Sequence, residues 1–336
     1  MTCFIIAEIG VNHNGSMDMA RELIDVAAEA GADAVKFQTF FADELVTPNA
    51  RKAEYQVANT GDSGSQYAML KALELTEAQF AGLADHCKAT GVEFLSTPFS
   101  EAASDLLARV GVRAFKISSG DLTHLPMLAH IAAKGLPILL STGMGNMSEV
   151  EAALDTIAAH GAPEVSLLHC VSNYPADAAD CNLAAMDTLA RAFGVPVGWS
   201  DHTEGAEISF AAVARGARLI EKHITLDKTL PGPDHLASME AVEFGAFVQG
   251  IRTIEAAIGD GHKRPTAAEL KTAEVARRSI VVVRDLPEGH VLRAEDLRVM
   301  RPGTGLKPAL LGMVTGLPLA CDIAAFTPLT EAHLHG

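Results

Sequence analysis

The chain has 336 residues, 49% of them hydrophobic and 20% charged, with a formal net charge of −16 from 42 acidic and 26 basic residues. This composition excludes a disordered, collagenous or coiled-coil chain, and the acid excess excludes a protein that grips nucleic acid through a basic surface. No apolar run reaches the ~18 residues that a membrane span needs. The N-terminal stretch meets an acid at Glu8 without a basic region before it, so no signal peptide is expected. The five cysteines, Cys3, Cys87, Cys170, Cys181 and Cys321, are odd in number and never spaced as CxxC. That points to a reducing, cytoplasmic compartment and away from a structural zinc ribbon.

Along the chain, short apolar runs alternate with longer helical stretches. The runs begin at Phe4, Ala34, Val92, Ala114, Pro137, Val165, Val195 and Leu219. The first helical stretch runs from Met17 to Ala30 and stops at Gly31; Thr76 caps another that Gly91 closes. Further stretches end at Gly111, Gly135, Gly161, Gly194 and Gly216, and the last spans about Met239 to Gly259. A long polar loop, 40–67, interrupts the rhythm, and a loop of that length in a compact domain is usually functional. Eight β–α alternations with near-continuous apolar strands predict an α/β fold, a (β/α)8 TIM barrel over residues 1–259. An open doubly wound sheet would want a glycine-rich phosphate turn after the first strand, and Gly10-Val-Asn-His-Asn-Gly15 does not supply one.

Beyond Gly259 the texture changes. Residues 260–277 are polar and read as a linker, and residues 278–336 read as a small β-rich module. So small a unit has a thin core and is expected to lean on another surface. Its Gly303-Thr-Gly305 is a weak nucleotide motif because no strand-to-helix turn follows; Arg301 just before it is the cation of interest.

A barrel of this kind carries its active site at the carboxyl ends of its strands. Those ends read Glu8; Lys36 and Gln38; Ser96 and Thr97; Lys116, Ser118, Ser119 and Asp121; Ser141 and Thr142; His169 and Ser172; Ser200, Asp201 and His202; Lys222 and His223. Polar residues at every strand end imply a polar cavity. Lys36 and Lys116, with the hydroxyls of Ser119, Ser141 and Ser200, suit a phosphate or carboxylate; alternatively, each lysine closes an ion pair with Glu8 or Asp121. His202 and His223 on neighbouring strands, near Asp201 and Glu221, suit one divalent cation with open positions, Mn²⁺ or Mg²⁺ rather than structural zinc. Packing histidines are the other reading. Leu230-Pro-Gly-Pro-Asp-His235 is a stiff loop that sets Asp234 over the cavity, and Tyr174 is a substrate platform or a loop packing residue.

Taken together, Glu8-Ile-Gly-Val-Asn-His-Asn-Gly15, Lys36-Phe-Gln-Thr39, Ser96-Thr-Pro-Phe99, Lys116-Ile-Ser-Ser-Gly-Asp121, Ser141-Thr-Gly-Met144, His169-Cys170, Ser200-Asp-His-Thr203, Glu221-Lys-His-Ile-Thr225, Gly232-Pro-Asp-His235 and Arg301-Pro-Gly-Thr-Gly305 resemble the sialic acid synthase (N-acetylneuraminate synthase) family from about residue 4 to 330. The terminal segment resembles the antifreeze-like (SAF) domain of those enzymes. The resemblance implies condensation of phosphoenolpyruvate with the open-chain aldehyde of N-acetylmannosamine, with loss of phosphate by C–O cleavage, to give N-acetylneuraminate. It implies that Lys36, Lys116, Ser119, Ser141 and Ser200 hold phosphoenolpyruvate, with Thr97 and Ser172 as further substrate-binding candidates. His202 and His223 would bind Mn²⁺, with Mg²⁺ or Co²⁺ as alternatives, and Glu8, Gln38, Tyr174 and Asp234 would hold the sugar or transfer protons. Glu8, Asp121 and Asp234 are the candidate catalytic carboxyls. It further implies a domain-swapped homodimer in which Arg301 contacts the sugar's N-acyl group in the partner's site. Asp121 stands where some members carry Glu, and Ser172 where some carry Asn. The polar segment 55–67 and Leu230-Pro-Gly-Pro-Asp-His-Leu236 also fit relatives that make N,N′-diacetyllegionaminate from a 6-deoxy diacetamido sugar.

Two readings of other classes compete. A metal-dependent barrel hydrolase built on His202 and His223 would want a further strong ligand and would leave the two lysines unexplained. A sugar- or ice-binding protein built on the terminal module would leave the polar strand ends without a purpose.

Overall fold

Period-two alternation within each apolar run decides the architecture. In the computed structural model, which describes residues 2–52, 57, 59, 64–161 and 164–335, the runs become eight parallel strands. They are β1 (Phe4–Gly10), β2 (Ala34–Thr39), β3 (Glu93–Pro98), β4 (Phe115–Ile117), β5 (Ile138–Ser141), β6 (Val165–Cys170), β7 (Val197–Asp201) and β8 (Leu219–Thr225). They pair in the order β3-β2-β1-β8-β7-β6-β5-β4, and β4 stands beside β3 to close the ring. Helices cover the outside, as in a (β/α)8 TIM barrel.

The outward residues, such as Ile5, Val35, Phe37, Ile117, Leu140 and Trp199, are buried against those helices in the main core. Fully burying such a side chain is worth about 1.5–3 kcal/mol. The helix starts follow local chemistry. Glu77–Thr90 begins with a reciprocal capping box between Thr76 and Gln79 and ends at Gly91 with φ 81°, the left-handed position a Cβ would oppose.

The inward residues form layers. Ile6, Ala34, Leu95, Leu139, Leu168 and Leu219 pack together as an apolar plug in the lower barrel. Two residues further along the same strands come Glu8, Lys36, Thr97, Ser141, Cys170 and Glu221, all of them lining the cavity above. Gly198 supplies the missing partner in this layer. A Cβ there would lie 2.4 Å from the Leu219 carbonyl oxygen and 2.8 Å from Leu219 Cβ, so β7 reaches its neighbour only without a side chain.

Two departures from the sequence expectation concern loops. The long loop 40–67 contains the short helix Ala42–Leu45 and the start of Gln66–Leu73, because Val11, Phe40, Ala42, Leu70 and Leu73 form an apolar cluster of their own. Part of it, like part of segment 55–67, lies outside the described residues. After β8 a short strand, β9 (Met239–Glu240), pairs with it before the helix Ala241–Ile258.

The chain divides into two compact units, Met1–Gly259 and Asp260–Gly336. The segment expected as a linker contains the helix Ala267–Ala276, started by a Thr266–Glu269 capping box. Strand β10 (Ser279–Val282) pairs antiparallel with β11 (Leu297–Met300), and isolated bridges such as Leu286–Ile323 tie the rest. The core of the second unit is small, centred on Ile280, Val282, Leu292, Leu297, Leu319 and Leu329. Among the described residues no helix is long and apolar enough to cross a membrane.

Candidate active site at the carboxyl end of the barrel

The strand ends converge on a cavity of about 460 Å³. Its floor is ionic. Lys36 Nζ lies 2.7 Å from Glu8 Oε2 and 3.9 Å from Glu221 Oε2, and it donates to Thr97 Oγ1 at 3.0 Å. Lys116 Nζ lies 3.4 Å from Glu221 Oε1, which also accepts from Ser200 Oγ at 2.9 Å. Gln38 Nε2 donates to Glu8 Oε1 at 3.1 Å. Every one of these charges is nearly inaccessible to solvent, so pairing is what allows them to be buried.

The expected pairing of Lys36 with Glu8 is present, but Lys116 pairs with Glu221 rather than Asp121. Asp121 sits in a 3-10 turn, accepts from Ser118 Oγ at 2.6 Å and is not among the cavity-lining residues, so the structure does not bring it to the site. Glu221 stands at the centre of the charges, whereas in the sequence it was legible only as a neighbour of the two histidines, with no role of its own. The signal was present: Glu221 and His223 are two apart on one strand and therefore share a face.

Burial sets the protonation states. It pushes the Glu8 carboxyl up, opposed by the Lys36 charge, and pushes Asp234 up to about 6. Burial holds His202 down at about 4 and His223 well below the usual imidazole range, so both rings are neutral near pH 7. Burial also lowers Lys116, while the carboxylates of Glu221 and Glu8 outweigh burial and raise Lys36.

His202 and His223 face each other with ring centroids 5.7 Å apart, and Tyr174 lies over His202 at 4.1 Å. His202 Nδ1 donates to Val171 O at 2.7 Å, which leaves Nε2 as the lone-pair nitrogen. His223 Nδ1 is buried with no hydrogen-bond partner among the described residues. Among the described residues no group of three or more His, Cys, Asp or Glu is arranged around a metal position.

On the next wall, Ser119 Oγ accepts from Gly143 N at 3.0 Å and lies 3.0 Å from Cys170 Sγ. Ser172 and Ser119 both line the cavity, and Ser141 Oγ is buried without a hydrogen-bond partner among the described residues. This cradle of hydroxyls beside Lys116 is the local setting an anion needs.

Asp234 reaches the cavity because its loop is anchored underneath. Ser238 Oγ donates to Asp234 O at 2.7 Å, and Asn12 Nδ2 donates to Ser238 Oγ at 2.9 Å and to Ile224 O at 2.8 Å. The next residue, His235, is held by Thr225 Oγ1 at 2.7 Å, and Asn59 Nδ2 donates to Pro233 O at 2.6 Å. Asn12, Thr225 and Ser238 were not separately legible as site residues. Their partners are more than two hundred positions away for Asn12, and side-chain anchoring leaves no periodic trace. Arg301 lies on the second unit, one residue past β11.

With this geometry in hand, the comparisons with known proteins are specific. A family profile described as the NeuB family matches residues 23–263, and one for the SAF domain matches residues 277–335. This chain belongs to the NeuB family, the sialic acid synthases. As a NeuB-family protein it is a phosphoenolpyruvate-dependent transferase that forms a C–C bond, of the nonulosonic acid synthase kind. It is 49% identical over 338 residues, 99% of this chain and 95% of the relative, to the N,N′-diacetyllegionaminic acid synthase of Legionella pneumophila. The N-acetylneuraminate-9-phosphate synthase of Homo sapiens is 37% identical over 88% of this chain and 82% of its own length. Among solved structures, the N-acetylneuraminic acid (sialic acid) synthetase of Leptospira borgpetersenii superposes with a TM-score of 0.72 at 36% identity, covering 82% of this chain and 91% of that one.

Proposed function

We propose that this chain is an N,N′-diacetyllegionaminate synthase, condensing phosphoenolpyruvate with 2,4-diacetamido-2,4,6-trideoxymannose. The observation that carries this choice is the 49% identity over nearly the whole length to the Legionella enzyme. The cavity agrees with it. Its outer wall is apolar, with Val11, Phe40, Leu45, Val46, Leu70 and Phe99, which suits a 6-deoxy sugar. Its only Lys or Arg side chains among the described lining residues, Lys36 and Lys116, lie on the floor, where phosphoenolpyruvate needs them. Among the described lining residues no Lys or Arg stands nearer the rim to receive a 6-phosphate. N-acetylmannosamine, the acceptor first expected from the motifs, becomes the second choice.

In this reading Lys36 and Lys116 hold the phosphoenolpyruvate anion, with Thr97, Ser119, Ser141, Ser172 and Ser200 orienting it. Entry of the anion offsets the floor charges that Glu8 and Glu221 balance in its absence. Two neutral imidazoles, one with an orphaned buried nitrogen, fit a divalent cation that keeps positions open for substrate oxygen. His202 and His223 would hold it, Mn²⁺ or else Mg²⁺ or Co²⁺, and it would supply Lewis-acid polarisation of the sugar aldehyde. The phosphoenolpyruvate C3 then bonds to the aldehyde carbon, water adds at C2, and the C2–O bond breaks to release phosphate. Glu8 and Asp234 hold or move the protons, their raised carboxyls being matched to exchange near neutral pH. Gln38 and Tyr174 orient the sugar. The terminal module, residues 278–336, is read as a cap contributed across a dimer, with Arg301 on the N-acyl group.

The deciding experiment measures phosphate release with phosphoenolpyruvate and each of three acceptors: the diacetamido trideoxy sugar, N-acetylmannosamine and its 6-phosphate. The highest kcat/KM is expected for the first. An equal or higher value for N-acetylmannosamine overturns the assignment.

A further inference from the structure

Directly behind the two histidines lies a charge pair that never touches the cavity. Asp201 and Lys222 are backbone partners in the parallel register of β7 and β8. Alternation turns their side chains away from the lumen, and neither lines the cavity that Ser200, His202, Glu221 and His223 do. Lys222 Nζ lies 3.1 Å from Asp201 Oδ2, with side-chain exposures of 1% and 0%. Lys222 also donates to Thr203 O. Asp201 is saturated: Oδ1 accepts from Thr203 N at 2.9 Å and Thr203 Oγ1 at 2.7 Å, and Oδ2 accepts from Ser209 Oγ at 2.6 Å.

Four segments thus meet at one pair: the end of β7, the turn at Thr203, the helix Glu207–Ala214 through Ser209, and the middle of β8. Each member of the pair directly precedes one of the histidines. Burying two charges costs more than filling the same space with apolar side chains, which would serve packing alone. What a saturated ion pair adds is a defined direction and spacing.

We propose that Asp201 and Lys222 are positioning residues that fix the separation and orientation of His202 and His223, and so set the affinity of that histidine pair for a divalent cation. The inference rests on the cation reading of the two histidines given above. Groups that orient metal ligands from behind typically change metal affinity about 10–100-fold when removed.

The test titrates Mn²⁺ alone, without substrates, into the full-length protein and reads free Mn²⁺ by electron paramagnetic resonance. Lys222→Met and Asp201→Asn are each expected to weaken Mn²⁺ binding about 10–100-fold, with activity returning at high Mn²⁺ and the KM for phosphoenolpyruvate there staying within about twofold of the original. Because one charge left alone in the interior can unfold the barrel, the double variant Asp201→Asn/Lys222→Met, which removes both charges, is measured beside them and is expected to show the same loss. Folded variants with the original Mn²⁺ affinity overturn the positioning role. The His202→Ala variant separates the two ideas: if it and the parent bind Mn²⁺ equally, the cation reading of the histidines fails, whatever the clamp variants do.

Discussion

Gly143 offers a direct test of the hydroxyl cradle. It follows β5 with a backbone that any residue can adopt, so replacing it with alanine adds volume and little backbone strain. The added Cβ would lie 2.5 Å from Ser172 Oγ, 2.8 Å from Ser119 Oγ and 2.9 Å from Cys170 Sγ. All three approaches are shorter than real Cβ contacts, and all three are with cavity-lining residues. The hydroxyls must swing or the turn must shift. Overpacking of this kind costs about 1–3 kcal/mol. If the cost falls on the geometry that receives the phosphoenolpyruvate anion, the KM for that substrate rises about 5- to 150-fold, while the sugar's KM changes about twofold or less. Steady-state kinetics with each substrate varied in turn, alongside a thermal melt, reads both. A folded Gly143→Ala enzyme with an unchanged KM for phosphoenolpyruvate refutes the assignment of this wall to the anion.

Three other outcomes are expected. Lys116→Ala leaves the buried Glu221 short of one partner and the anion short of one cation, and should lose about 2–4 kcal/mol in kcat/KM for phosphoenolpyruvate; a loss confined to the sugar's KM contradicts it. The Asp234 carboxyl, raised by burial to about 6, is protonated below that pH and ionised above it. If its ionised form serves the sugar, kcat/KM for the sugar falls as pH drops through about 6, and Asp234→Asn abolishes that limb of the profile. In the second unit burial pushes the Asp296 carboxyl up, but His290, the Arg293 N–H and Arg284 together outweigh it and hold the group down at about 2. A depressed carboxyl contributes stability above about pH 4 and loses it as pH falls toward 2. Asp296→Asn should therefore cost on the order of 1 kcal/mol at pH 7, discounted because Arg284 is half in solvent, and nearly nothing near pH 2. Amide exchange at Ile280–Val282 measured at the two pH values checks it.

Much of this site could be read from the chain because the barrel converts local order into position. Once eight runs are recognised as strands, the last residues of each must share one rim, and Glu8, Lys36, Thr97, Lys116, Ser141, Ser200, His202 and His223 do meet there. The same alternation places Glu221 among the charges, a step that needed only its spacing from His223. Asp121 was misplaced because β4 is short, Phe115–Ile117, and the chain then tightens into a turn that gives Asp121 to Ser118. Asn12 and Ser238 were invisible for a different reason: their value lies in one hydrogen bond between segments 226 positions apart. The long loop carries small helices because Leu70 and Leu73 find Val11 and Phe40 from another part of the chain, a tertiary rescue that polar composition conceals.

The layer of Ile6, Leu95, Leu139, Leu168 and Leu219 makes the cleft blind-ended. Among the described lining residues the lysines stand next above that layer, at the closed end. If one reactant docks on them and the other nearer the rim, the deeper one is expected to load first and its released fragment to leave last, an order that product-inhibition kinetics would read. Such a queue would be imposed by five aliphatic side chains that line none of the cavity themselves.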